Sequence, residues 1–144
     1  LTACVDCVAA AAAGETIEDY YQTFEKINHV HLADGAPTGH LVPGDGSNPL
    51  QTYIMSLEEH EFSGSVTMEI NNQIYFDDPD KATKRTANWI LENPLIEDDR
   101  YSYNMTIMVN VTTNAKEKKY FKFMFSDTRY FMCSRIGVKI DSNS

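Results

Sequence analysis

The sequence predicts an α/β protein with a parallel sheet, because strand-like and helix-like segments alternate along residues 1–94. The strand-like segments are short and apolar, and they comprise residues 1–6, 27–32 and 65–70. A segment with helical spacing or capping residues follows each of them, at about 16–25, 49–60 and 78–93. A β-α-β-α-β-α order with short crossovers requires parallel strands, in a sheet that is either open and doubly wound or closed into a barrel.

Signals for helix starts support this order. Thr16, followed three residues later by Asp19, resembles a capping box, and Pro49 and Pro79 occupy first helical positions. Apolar side chains of the second helix recur at i, i+3, i+4 and i+7, namely Leu50, Tyr53, Ile54 and Leu57. The glycine- and proline-rich segment 34–47 is longer than a minimal connection, and loops of that length are usually functional.

The composition of the chain changes near residue 95. Residues 1–96 carry fifteen acidic and four basic side chains, a net charge of −11, whereas residues 97–144 carry six and eight, a net charge of +2. The hydrophobic period changes at the same point. We therefore divide the chain into a first part at 1–94 and a β-rich C-terminal extension at 95–144.

Alternating residues predict strands in the extension. Apolar and polar side chains alternate over residues 101–112, and apolar segments begin again near Phe121 and Ile136. We predict an antiparallel meander there.

Charge, hydropathy and cysteine content exclude several classes of protein. The net charge of −9 disfavours nucleic-acid partners, and no apolar run approaches the length of a membrane span. Three cysteines leave one unpaired in any disulfide scheme, which favours a reducing compartment. Cys4 and Cys7 form a C-x-x-C string, but residues three apart in a strand point to opposite faces and cannot share a metal or a disulfide. We predict a cytoplasmic protein with no nucleic-acid or membrane partner.

Each predicted strand ends near a side chain that can bind a metal, namely Asp6, His31 and Glu69. The carboxyl ends of parallel strands meet at one edge of a sheet, where ligands bind. Two carboxylates and an imidazole suit a divalent cation such as Mn²⁺, Mg²⁺, Co²⁺ or Zn²⁺. One such residue alone could be a solvent-facing strand end, but three at equivalent positions favour a site.

Longer strings around these residues resemble the xylose isomerase-like superfamily, in its sugar phosphate isomerase/epimerase and ketose 3-epimerase branch. The strings are Cys-Val-Asp at 4–6, His-Val-His-Leu-Ala-Asp-Gly at 29–35, His-Leu-Val-Pro-Gly-Asp-Gly at 40–46 and Val-Thr-Met-Glu at 66–69. The resemblance covers residues 1 to about 92. It implies the C-terminal part of a (β/α)8 TIM barrel, the last three of eight strand-helix units.

The resemblance also implies a reaction and its residues. A divalent metal, commonly manganese, would be held by Asp6, His31 and Glu69, with a fourth ligand, a glutamate, preceding Leu1. Glu69 would in addition be a catalytic acid/base that moves the proton next to a sugar carbonyl through a cis-enediolate. The substrate would be a sugar or a sugar phosphate.

Two further histidines lie near the expected site. His40 is a candidate substrate contact, with a plain surface role in the loop as the alternative, and His29 is expected to pack beside the metal ligands. The sequence departs from the family pattern at Ala9, where a histidine is common, and at Pro37, where some epimerases have a basic residue.

Other functions remain open. Three units of a barrel leave strand edges exposed, so the chain could be a non-catalytic fragment or subunit that completes a barrel by association with another chain or with its own copies. An apurinic endonuclease-like hydrolase belongs to the same superfamily, but Ala9 and Thr38 replace two ligands that it requires.

Overall fold

The computed structural model describes residues 2–92, except for the Leu91 side chain, and the backbone of residues 104–113, 117–126 and 130–139. The elements are β1 Thr2–Asp6, α1 Cys7–Ala13, α2 Ile17–Thr23, β2 Lys26–Leu32, α3 Leu50–Glu59, β3 Ser65–Ile70, a 3₁₀ turn Gln73–Tyr75, α4 Pro79–Glu92, β4 Asn104–Thr113, β5 Glu117–Ser126 and β6 Tyr130–Lys139. The predicted element ends at Leu1, Asn93, Tyr101 and Ile140 lie outside the described residues.

The six strands that the structure describes belong to one sheet in the order β1-β2-β3-β4-β5-β6. Neighbouring strands from β1 to β4 are parallel, and β4, β5 and β6 pair antiparallel. The predicted α/β fold with parallel strands is therefore confirmed. Among the described strands, β1 and β6 each have one neighbour, so the sheet is not closed and the TIM barrel stays a prediction. The domain boundary at residue 95 also stays a prediction.

The helices cover one face of strands β1–β3. The side chains there are apolar and nearly inaccessible to solvent, and they are Val5, Val30, Leu32, Val66, Met68 and Ile70. Ile54 and Leu57 of α3 and Ala82 of α4 belong to the same core. Full burial of one such aliphatic side chain stabilises the fold by about 1.5–3 kcal/mol before the entropy cost of ordering it. No helix in the described part of the chain has both the length and the apolar character needed to cross a bilayer.

Helix α1 was not predicted from the sequence. The Oδ1 atom of Asp6 accepts hydrogen bonds from the N–H groups of Val8 (2.9 Å) and Ala9 (3.2 Å), which starts the helix directly after β1. Gly14 ends it with a φ of 74°, a left-handed conformation that favours glycine. Asp6 is therefore held in place by the helix that it caps.

The loop between β2 and α3 is organised around Asp34, which is 3% exposed. Its carboxylate accepts four backbone hydrogen bonds of 2.8–3.0 Å from loop residues, namely Gly35, Gly44, Gly46 and Asn48. A side chain at Gly46 would collide with this carboxylate and with the Gly35 backbone. The Asp34 carboxylate thus organises the loop.

A second acidic residue, Asp45, connects the same loop to α4. Asp45 accepts two hydrogen bonds from Arg85 of α4 (2.8 and 2.5 Å) and one from the Tyr75 hydroxyl (2.7 Å). The Tyr75 hydroxyl in turn accepts a hydrogen bond from the Val42 N–H at 3.0 Å. Asp34 at the start of the long loop and Asp45 near its end consequently hold the loop in place.

Candidate metal and catalytic site

The face of strands β1–β3 opposite the helices is polar and partly open. We call it the open face; its side chains on β1, β2 and β3 are Cys4, Asp6, His29, His31, Ser65, Thr67 and Glu69. Strand pairing aligns Asp6 with His31 and His31 with Thr67. Because side chains alternate along a strand, these residues share a face while their neighbours in sequence enter the core.

Three residues form what we call the oxygen-rich cluster: Asp6, His40 and Glu69. Their potential ligand atoms lie within 4.8 Å of one another. The Nε2 atom of His40 lies 3.1 Å from Oδ2 of Asp6 and 4.0 Å from Oε2 of Glu69. The imidazole of a loop residue therefore stands between carboxylates from two different strands.

His31 contacts the same glutamate from the other side. Its Nδ1 lies 2.5 Å from Oε2 of Glu69. A carboxylate accepts hydrogen bonds, so Nδ1 of His31 is the donor in this contact. The side chains of His31 and Glu69 are 29% and 17% exposed, which leaves both within reach of a small molecule.

His29 lies beside His31, with the rings edge to face and their centroids 4.8 Å apart. Its Nδ1 hydrogen-bonds to the Ser65 hydroxyl, and its Nε2 lies 3.3 Å from Oγ1 of Thr67. Burial, and then the neighbouring His31, lower the pKa of His29. His29 is therefore packed beside the predicted ligands and favours the neutral imidazole.

The backbone brings His40 into the site. Its φ is 45°, in the left-handed region that few non-glycine residues adopt. Its carbonyl accepts a hydrogen bond from the Asn71 N–H at 2.9 Å, just after β3, and the next residue, Leu41, pairs with Asp34 in both directions. The loop is thus attached to the end of β3, and His40 is held toward Asp6.

The electrostatics of the cluster favour a cation. Among the ion pairs of the described residues, Asp6 and Glu69 are paired with histidines and with no lysine or arginine. Burial, followed by the negative charges of Asp6 and Glu69, also raises the pKa of the Cys4 thiol. Two carboxylates without a strong cationic partner give a site of negative potential.

Glu69 links the side chains that the sequence singled out, since its carboxylate contacts His31 and lies in the oxygen-rich cluster with Asp6. Asp6, His31 and Glu69 lie at the carboxyl ends of adjacent strands, and Glu69 contacts His31 directly. The sequence reasoning missed that His40 lies between the two carboxylates. The Gly-His string at 39–40 was the available signal, because glycine beside a histidine permits an unusual turn in a long loop.

Comparison with known proteins gives a distant relationship. The chain is 28% identical over 78 residues to the fructoselysine 3-epimerases of Escherichia coli O157:H7 and of Shigella flexneri. The match covers 52% of this chain and 28% of each relative, so the chain spans well under half the length of these proteins. No protein-family model and no solved structure matches it significantly. The similarity indicates a distant relationship to sugar epimerases over about half of the chain.

Proposed function

We propose that this chain carries part of the active site of a metal-dependent sugar isomerase or epimerase, as the last three strand-helix units of a (β/α)8 barrel. The observation that carries the proposal is the meeting of Asp6, His31 and Glu69 at the ends of three adjacent parallel strands. The distant similarity to two fructoselysine 3-epimerases supports the same class of reaction.

The donor atoms fit a divalent cation. Asp6, His31 and Glu69 are the proposed ligands, and their carboxylate oxygens and imidazole nitrogen suit manganese first, with magnesium, cobalt or zinc as alternatives. His40 is the proposed contact to the substrate, since its ring lies within hydrogen-bond distance of Asp6. A bound cation would polarise the sugar carbonyl and make the neighbouring C–H group more acidic.

Glu69 is the proposed acid/base. It takes the proton from the carbon next to the carbonyl and returns a proton to it. The Oε2 atom contacts His31, and this contact fixes the carboxylate. One such group exchanges the proton on one side of the carbon, whereas inversion requires a second group on the opposite side.

The proposal includes a partner that supplies the rest of the barrel. The chain matches 28% of the length of its relatives, and β1 has one neighbour among the described strands. An unpaired edge can accept another strand, from a second copy or from the missing part of the barrel. The substrate is a sugar or a sugar phosphate, and carbohydrate metabolism in the cytoplasm is the proposed setting.

Manganese binding and proton exchange test the proposal together. The purified chain is titrated with MnCl₂ and followed by electron paramagnetic resonance, then incubated with a ketose or a ketose phosphate in D₂O. We expect stoichiometric manganese and deuterium next to the carbonyl, both lost in Asp6→Asn and Glu69→Gln. His60→Gln is the matched control, because His60 contacts Glu18 on the helix side. The absence of both signals from the unmodified chain would refute the proposal.

A non-catalytic subunit is the second candidate, and the single neighbour of β1 favours it. Such a subunit completes a barrel by association and contributes ligands rather than a full reaction. Stoichiometric manganese without deuterium incorporation, together with an oligomer in gel filtration, would favour this candidate over an enzyme that acts alone.

A further inference from the structure

A second group of potential metal ligands lies on the open face, beside the oxygen-rich cluster. Cys4, His29 and His31 offer ligand atoms that lie within 4.8 Å of one another. Cys4 on β1 pairs in register with His29 on β2, and His31 follows two residues later on the same face. The Cys4 thiol is exposed and the histidines are partly buried, so an ion from solvent can reach all three.

The hydrogen bonds of the two histidines prepare them as ligands. Nδ1 of His29 bonds to Ser65, and Nδ1 of His31 bonds to Glu69, so both partners lie on β3. In the neutral tautomers that carry the proton on Nδ1, both Nε2 atoms have lone pairs for an ion. Metal-binding histidines commonly have this arrangement, with the second nitrogen bonded to an oxygen that fixes the ring. The 3.3 Å contact from Thr67 to Nε2 of His29 is long and would be replaced by the ion.

We propose that Cys4, His29 and His31 form a site for zinc or a similar thiolate-preferring ion. One sulfur and two imidazole nitrogens are a ligand set that zinc accepts, with an open fourth position. Binding forms a bond from the Cys4 sulfur to the ion and releases the thiol proton to solvent. The site shares His31 with the proposed manganese ligands, so the two ions compete for this ring.

The C-x-x-C string does not provide the site. Cys7 is the first residue of α1 and is fully buried in the apolar core, whereas Cys4 is exposed on the open face. Cys4 lies beside His29 and His31 of β2 and forms no site with Cys7. This placement makes Cys7 a control for Cys4, because one thiol is buried and the other is exposed.

Cobalt spectroscopy tests the thiolate bond. The full chain is titrated with Co²⁺, which absorbs strongly in the near ultraviolet when a thiolate binds it, and Zn²⁺ is then added to displace it. We expect the absorption in the unmodified chain and in Cys7→Ala, and its loss in Cys4→Ser. No absorption in the unmodified chain, or absorption that survives Cys4→Ser, would overturn the proposal.

A second pair of variants tests the role of His29 without touching a ligand. Ser65→Ala removes the partner of Nδ1, and we expect zinc affinity, measured against a coloured chelator, to fall about tenfold or more. Ser63→Ala, an exposed serine two residues earlier, is the control and should leave the affinity unchanged. Equal affinities for the two variants would contradict the assignment of His29 as a ligand.

Manganese titration of Cys4→Ser separates this proposal from the proposed function. Cys4 is outside the oxygen-rich cluster, so we expect this variant to bind manganese as the unmodified chain does while its zinc affinity falls. A chain that shows the thiolate absorption but takes up no manganese would support the zinc site and defeat the isomerase proposal. A chain that takes up manganese but shows no thiolate absorption would support the isomerase proposal and defeat the zinc site.

Discussion

The two faces of the parallel strands differ in composition, although alternate residues of the same strands build both. The helix-covered face is apolar and at most 2% exposed, with Val5, Val30, Leu32, Val66, Met68 and Ile70. The open face carries thiol, carboxylate, imidazole and hydroxyl groups that contact one another. Strand alternation thus separates the residues that stabilise the fold from those that can perform chemistry. Substitutions of neighbouring residues should therefore affect different properties: the free energy of unfolding on the covered face, and metal binding or proton exchange on the open face.

Glu69→Gln gives the largest expected effect on the open face. The substitution keeps the size of the side chain but removes the negative charge and the base. We expect the rate of deuterium exchange to fall by about 10²–10⁴-fold. The free energy of unfolding should change little, because Glu69 lies outside the apolar core. Exchange kinetics and urea unfolding measure the two quantities, and a rate close to that of the unmodified chain would exclude Glu69 as the acid/base.

Met68→Ala, one residue away, is the matched change on the covered face. Met68 is fully buried, so its truncation leaves a cavity and should cost about 2–5 kcal/mol of unfolding free energy. Manganese affinity should be unchanged under conditions where the variant remains folded. Urea denaturation and manganese titration provide the measurement. A large loss of manganese binding in the folded variant would show that the two faces are not separable.

Asp34→Asn tests the loop that brings His40 to the open face. The amide nitrogen cannot accept, so two of the four backbone N–H groups now bonded to Asp34 lose their acceptor. We expect a loss of about 1–3 kcal/mol in unfolding free energy. Deuterium exchange should slow as well, because Asp34 pairs with Leu41 next to His40, the proposed substrate contact. The exposed Asp77→Asn is the control and should change neither quantity.

Asp45→Asn gives the smallest expected effect, which depends on pH. The Arg85 side chain, assisted by Tyr75, lowers the pKa of Asp45 from its ordinary value of 3.8. The stabilisation is therefore present above that value and is lost as the pH falls through the lower value of the folded state. The Arg85 side chain is 42% exposed, so we expect about 1 kcal/mol or less at neutral pH. A stability difference that persists unchanged at strongly acidic pH would contradict this account.

Local patterns predicted the strands and the strand-end residues, because alternation and the strand-helix order act over short distances. Helix α1 was missed, since its alanine-rich sequence has no apolar stripe and Asp6 was interpreted as a ligand without a capping role. The 3₁₀ turn at Gln73–Tyr75 is too short to leave a periodic signal.

Contacts between distant residues could not be predicted. The Asp45–Arg85 pair spans 40 positions, and the approach of His40 to Asp6 spans 34. Each depends on how the long loop folds around Asp34, which no local pattern encodes. The participation of His40 in the oxygen-rich cluster could therefore emerge only from the three-dimensional arrangement.

The double use of Asp6 limits how it can hold an ion. One oxygen is engaged by two N–H groups at the start of α1, and the other faces His40. Bidentate binding of a cation by Asp6 would break the capping hydrogen bonds to Val8 and Ala9, so Asp6 can supply one ligand oxygen. In the proposed manganese site, the coordination positions that a bidentate carboxylate would fill would therefore be left for oxygen atoms of the substrate.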